Sequence, residues 1–139
     1  MANVNPYLLF NGNAEEAFVF YQSVLGGELM LVRFGEMGDG GDLPEGVSKL
    51  IAHAALPLGD SILMASDCPP DRAADRTDNP PFTVSLDLDS TAEVERIFEQ
   101  LAAGGKVSMP VGKTEWAEAF AMVTDKFGVP WMIGYSLPR

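Results

Sequence analysis

Residues 14–27, AEEAFVFYQSVLGG, and residues 92–105, AEVERIFEQLAAGG, decide the fold. Laid one over the other they share an Ala-Glu start, a phenylalanine (Phe20 and Phe98), a glutamine (Gln22 and Gln100) and a closing pair of glycines. Each reads as an amphipathic helix. Ala14, Ala17, Phe18, Tyr21, Val24 and Leu25 recur at helical spacing in the first, and Val94, Ile97, Phe98 and Leu101 in the second. Asn13 is placed to cap the first helix, with Glu16 completing a capping-box-like pair, and Ser90 with Glu93 forms the box of the second. Gly26-Gly27 and Gly104-Gly105 stop the helices, because glycine accepts the left-handed backbone that a helix C-terminus favours.

The likeness extends on both sides of the helices. A strand-like run precedes each one, at 4–10 and at 82–88. The second alternates, with Phe82, Val84, Leu86 and Leu88 on one face and Thr83, Ser85 and Asp87 on the other. Three strand-like runs follow each helix: 28–34, 48–56 and 61–65 in the first half, then 106–110, 120–124 and 131–135 in the second. The last two of each set form a hairpin, turning at Leu58-Gly59-Asp60 and at Asp125–Gly128. Setting Gly59 over Gly128 pairs Leu63 with Met132. The order strand, helix, strand, strand, strand therefore occurs twice, and a repeat of this kind fixes the architecture. The predicted fold is α+β, a single domain of two paired βαβββ modules, module one about 3–66 and module two about 82–137. The proline-rich, charged stretch at about 67–81 is the linker. The glycine-rich, acidic stretch 35–46 reads as a plain loop, with a lid over a pocket as the sharper alternative.

Composition narrows the function. Twenty acidic against nine basic residues give a formal net charge of −11, which repels phosphate backbones and anionic membrane surfaces. We expect no nucleic-acid partner and no membrane, and the acidity serves solubility or draws a cationic small ligand. Cys68 is the lone cysteine, so no intrachain disulfide forms, and an inert thiol is expected there. The opening residues lack the basic region of a secretory signal, and no apolar run approaches the roughly 18 residues that span a bilayer. A cytoplasmic protein is expected.

A doubled βαβββ chain of this length resembles the vicinal oxygen chelate superfamily of glyoxalases, bleomycin-resistance proteins and dioxygenases, and within it the PhnB-like branch. PYLLFNGNAEEAFVFYQSVLGG (6–27), AHAALPLGDSILMASD (52–67), AAGGKVSMP (102–110) and EWAEAFAMVTDKFGVPWMI (115–133) carry the likeness, which covers nearly the whole chain. The resemblance implies cupped mixed sheets, helix outside and cavity inside, with homodimers completing the cavity. Members of that branch are often labelled demethylubiquinone methyltransferases, but the chain has neither a glycine-rich nucleotide loop nor the pattern of a doubly wound sheet, and we expect no such activity.

Metal-using members of the superfamily hold a divalent ion with four side chains, one from the first and one from the last strand of each module. Carried across residue by residue, these positions fall on Asn5 or Pro6, Leu63, Thr83 and Met132. No histidine or carboxylate stands at any of them, so the resemblance implies no bound metal and no cofactor here. The ligand-binding candidates are Tyr7, His53, Thr83, Ser85 and Trp116, polar or aromatic groups expected to line an otherwise apolar cavity between the modules. His53 is the only histidine and reads either as a partly buried residue satisfied by a backbone carbonyl or as a proton donor and acceptor at the cavity wall. Asp67 is expected near the cavity mouth. Trp131 and Ile133 should point to the helix side as core, opposite Met132. Trp116 stacks on a ligand or packs across a dimer interface. Relatives usually have glycines at the positions of Ala117 and Ala121, and their replacement changes how closely a ligand can approach the backbone. Three functions follow: metal-free binding of a small organic molecule, a metal-dependent lyase, isomerase or dioxygenase, or a ligand-free partner-binding subunit.

Overall fold

The computed structural model describes residues 5–36, 45–68 and 82–136. The chain divides into two compact units, Met1–Asp75 and Arg76–Arg139. Stretch 37–44, most of the glycine-rich loop, and stretch 69–81, most of the linker, lie outside the described residues.

The first unit runs β1 (Tyr7–Phe10), α1 (Ala14–Leu25), β2 (Met30–Arg33), α2 (Glu45–Ser48), β3 (Ile51–Leu58) and β4 (Ser61–Asp67). A single 3-10 turn, Phe34–Glu36, follows β2. Its sheet has the order β1-β4-β3-β2, with β1 parallel to β4 and the remaining pairs antiparallel. The second unit repeats the plan: β5 (Val84–Asp87), α3 (Thr91–Ala102), β6 (Lys106–Gly112), β7 (Ala117–Thr124) and β8 (Pro130–Ser136), in the order β5-β8-β7-β6. β5 and β8 are the parallel pair. Two mixed sheets, each covered by one helix, make the α+β fold that the repeat predicts.

Alternation sorts each sheet into a covered and an open face. In the first unit Leu8, Phe10, Ala54, Leu56, Leu63 and Ala65 are buried with Ala14, Ala17, Phe18, Tyr21 and Val24 of α1. Phe18 meets Phe10 and Tyr21 edge-on, at centroid distances of 6.3 and 5.4 Å. In the second unit Val84, Ala121, Val123, Trp131 and Ile133 are buried with Val94, Ile97 and Leu101 of α3. Trp131 and Ile133 are core residues, as their alternation requires.

The glycine pairs do the same work in both units. Gly26 ends α1 at φ 81°, its N–H returning to the Gln22 carbonyl. A β-carbon on Gly27 would stand 2.7 Å from the Pro57 carbonyl, and one on Gly105 would collide with the Thr124 carbonyl and the Asp125 backbone. Pro57 is the last residue but one of β3 and Thr124 the last of β7, the matching strands of the two sheets. The second glycine of each doublet therefore lets the helix exit pass hard against the next hairpin.

Two readings need correction. Asn13 makes no side-chain cap bond. The acceptor at the start of α1 is Asp67, whose Oδ1 receives the N–H groups of Gly12 (3.0 Å) and Ala14 (2.9 Å) while Oδ2 receives that of Ile51 (2.9 Å). Asp67 is thus a buried structural anchor, not a group at a cavity mouth. A capping side chain from a distant strand leaves no local signal at the helix. The second correction concerns register. The β3–β4 turn is two residues, Gly59 and Asp60, between the paired Leu58 and Ser61, whereas Asp125–Val129 intervene between the paired Thr124 and Pro130. Aligning the turn glycines therefore slips the fourth strands by one. Leu63 is buried on the helix side, and the residue equivalent to Met132 is Met64, since Met64 pairs with Tyr7 as Met132 pairs with Ser85.

Candidate functional site

The open face of the first sheet is built by register. Across its four strands run Tyr7, Met64, Ala55 and Met30, each paired with the next. Beside that row Leu9 pairs with Ser66, and Val32 with His53. Tyr7 and Leu9 are about half exposed and Met30 more so. A β-irregularity follows Val32 in the pairing of β2 with β3, which puts Ile51 in the core and leaves His53 part-exposed. Bulges commonly re-aim a side chain in this way.

The two polar candidates of this unit meet. The Tyr7 hydroxyl lies 3.2 Å from His53 Nδ1, and the rings are 5.8 Å apart at 35°. With Nδ1 unprotonated the hydroxyl donates to it; with Nδ1–H the imidazole donates to the phenol oxygen. The pair can thus offer either a donor or an acceptor to a third group. His53 is part-buried, as its plainer reading has it, with the Tyr7 hydroxyl in place of a backbone carbonyl as its partner.

In the second unit Ser85, Met132, Met122 and Met109 form the equivalent row. Ser85 is exposed on the open face. Thr83 is half-buried and precedes the strand, which begins at Val84. Trp116 is 60% exposed just before β7, and its ring meets Phe120 edge-on at 5.5 Å. Thr114 holds the approach to β7: its hydroxyl accepts from the N–H groups of Trp116 and Ala117. Ala121 is buried and pairs with Ile133 on the helix side, while Ala117, also buried, pairs with Ser136 beyond a β-irregularity. Gly134 sits beside Phe120, with space for an added β-carbon only at 3.5 Å from that ring. Tyr7 with His53 is one grouping and Ser85 with its methionine row another. Sequence reasoning placed Met132 opposite the core but missed Met30, Met64, Met109 and Met122, because scattered thioethers align only once the strand register is known.

The residues present do not suit a hard divalent ion. Asn5 Oδ1 already accepts the Ile62 N–H at 3.1 Å, and Met64, Thr83 and Met132 supply no carboxylate or imidazole. Among the described residues no three His, Cys, Asp or Glu side chains gather where they could hold a metal. Among them too, no helix is long and apolar enough to cross a membrane.

Comparisons with known proteins agree with this architecture. The sequence profile of the Glyoxalase/Bleomycin resistance protein/Dioxygenase superfamily matches residues 3–133. Protein YjdN of Escherichia coli (strain K12) is 41% identical over 139 residues, covering 94% of this chain and 92% of that one. The crystal structure of protein PA1353 from Pseudomonas aeruginosa is 43% identical, with a TM-score of 0.86 over 97% of this chain and 98% of the other. A putative 3-demethylubiquinone-9 3-methyltransferase, PhnB protein, from Bacillus cereus shares the fold at 24% identity and a TM-score of 0.76, over 96% of this chain and 99% of that one. A twice-used βαβββ module, matched along nearly its whole length by that profile, makes this chain a member of the Glyoxalase/Bleomycin resistance protein/Dioxygenase superfamily.

Proposed function

We infer that this PhnB-like protein binds a small organic molecule, without a divalent metal, on the open face of its first sheet. The supporting observation is the Tyr7–His53 pair. Residues 46 apart in sequence bring a phenol and an imidazole together on a surface that also carries Leu9, Met30, Val32, Ala55, Met64 and Ser66. An apolar lining with a few convergent polar groups is the usual form of a small-molecule site. Such a pair fixes the orientation of a ligand through one hydroxyl, carbonyl or amine. The acidic surface favours a cationic ligand over an anionic one.

Chelator-treated protein screened against a metabolite mixture by amide NMR tests the reading. Bound molecules should shift the resonances of Tyr7, His53 and Met64 and do so far more weakly in His53→Ala, whose unfolding midpoint should change little. Ligand binding unaffected by His53→Ala, or a variant that loses stability more than affinity, would contradict it. We also infer a homodimer, because exposed Leu9, Met30 and Trp116 are apolar groups that a second copy would cover, and a cytoplasmic setting, which a lone cysteine suits. Sedimentation at micromolar concentration should give twice the chain mass; a single monomeric species would overturn the dimer.

A further inference from the structure

All five described methionines, of seven in the chain, lie in the matching rows of the two open faces: Met30 and Met64 in the first sheet, Met109, Met122 and Met132 in the second. The rows differ at one decisive position. In the first sheet Ala55 stands between Met64 and Met30, so two thioethers are separated by a strand with nothing to coordinate. In the second sheet Met122 fills that place, giving three thioethers on adjacent strands, Met109 paired with Met122 and Met122 with Met132. Directly paired side chains have β-carbons about 4.5–5.5 Å apart. Two side-chain torsions of the unbranched methionine place its sulfur, so the outer sulfurs can lean over the central one. Met109 is 42% exposed and the other two are part-exposed, so an ion can reach them from solvent.

We propose that Met109, Met122 and Met132 form a site for a soft monovalent cation, Cu(I) or Ag(I). Thioethers are neutral, polarisable donors that select such ions and discriminate against Mg²⁺, Ca²⁺ and Mn²⁺. Three of them on one row suit the low coordination number of a d¹⁰ monovalent ion. Formal charge −11 draws a cation to the surface without supplying a hard ligand in the row. This proposal and the Tyr7–His53 reading rest on different residues, and either can fail while the other stands.

The test uses Ag(I), which is redox-silent, on the full chain carrying Cys68→Ser so that the thiol does not compete. Methionine ε-methyl resonances are assigned through single Met→Leu variants, a nearly volume-conserving change. Titration should shift the Met109, Met122 and Met132 methyls together and saturate at one equivalent. Met122→Leu should abolish the stoichiometric binding, while Met30→Leu/Met64→Leu should leave it intact. Shifts confined to other methionines, no shift at all, or one equivalent still retained by the triple variant Met109→Leu/Met122→Leu/Met132→Leu would overturn the proposal.

Discussion

The two units use one plan but fasten it differently. In the first, the start of α1 is held by Asp67, 53 residues away in sequence, which ties together the β1–α1 junction, the entry to β3 and the end of β4. In the second, α3 is capped from within its own sequence, the Ser90 hydroxyl accepting the Glu93 N–H at 3.2 Å. Its buried carboxylate lies elsewhere: Asp125, in the β7–β8 turn, accepts from the N–H groups of Phe127 and Val129 and from the Trp131 indole. Asp67 and Asp125 are the buried charged residues of the described chain, and each gathers three N–H donors. Carboxylate oxygens are tolerated out of water only when donors satisfy them in this way. The comparison teaches that one module can be locked at its helix or at its hairpin, and that the choice moves the charge from one end of the sheet to another.

That difference can be broken in graded steps. The largest effect belongs to Asp67→Ala, which strips acceptors from three N–H groups and should cost the first unit about 4 kcal/mol. Amide hydrogen exchange at Gly12, Ala14 and Ile51 reads that loss directly. Unchanged protection there would remove Asp67 as the anchor. Next comes Gly105→Ala, whose β-carbon must displace the backbone of Thr124 and Asp125; about 3 kcal/mol is expected. Urea unfolding followed by tryptophan fluorescence suits this variant, since Trp116 and Trp131 are both in the second unit. Ser90→Ala, the local cap, should cost only about 1 kcal/mol by the same signal. A Ser90 variant as damaging as the Asp67 variant would erase the contrast between distant and local capping.

The smallest effect concerns the surface pair of Arg33 and Glu15. Arg33 Nη2 lies 2.8 Å from Glu15 Oε2 and Nη1 lies 3.0 Å from Oε1, a two-pronged contact that joins β2 to the first turn of α1. The hydrogen bonds and charge of Arg33 hold the Glu15 carboxyl below its ordinary range. A carboxylate depressed in the folded state stabilises above its unfolded value of about 4.3, and that contribution disappears as pH falls through the folded value. Glu15→Gln should therefore be slightly less stable than the parent at pH 7, with the gap closing in acid. The effect is minor because both groups are open to water. A gap that widened as pH fell would contradict the sign.

Much of the fold was legible because it was written twice. Helices 14–25 and 91–102, the Gly-Gly stops, the Ser90 cap, the hairpin turns and the core side of Trp131 all follow from local pattern and local chemistry. The errors share one cause. Asp67 acts through a partner that no window around α1 contains, and Leu63 was matched to Met132 because glycine turns of unequal length look alike in sequence. The candidate site was less legible for the same reason. Tyr7, His53, Ser85 and Trp116 could be named as polar or aromatic groups, but the contact of Tyr7 with His53 and the alignment of Met109, Met122 and Met132 depend on strand register, which a bulge or one extra turn residue resets.

The central claim is that two copies of this module present open faces on which the superfamily's usual divalent-ion positions hold no suitable ligands. Elemental analysis of protein purified without chelator measures that most directly. The account predicts nickel, zinc, manganese and iron far below one equivalent per chain. Any one of them at a full equivalent, retained through dialysis, would contradict it.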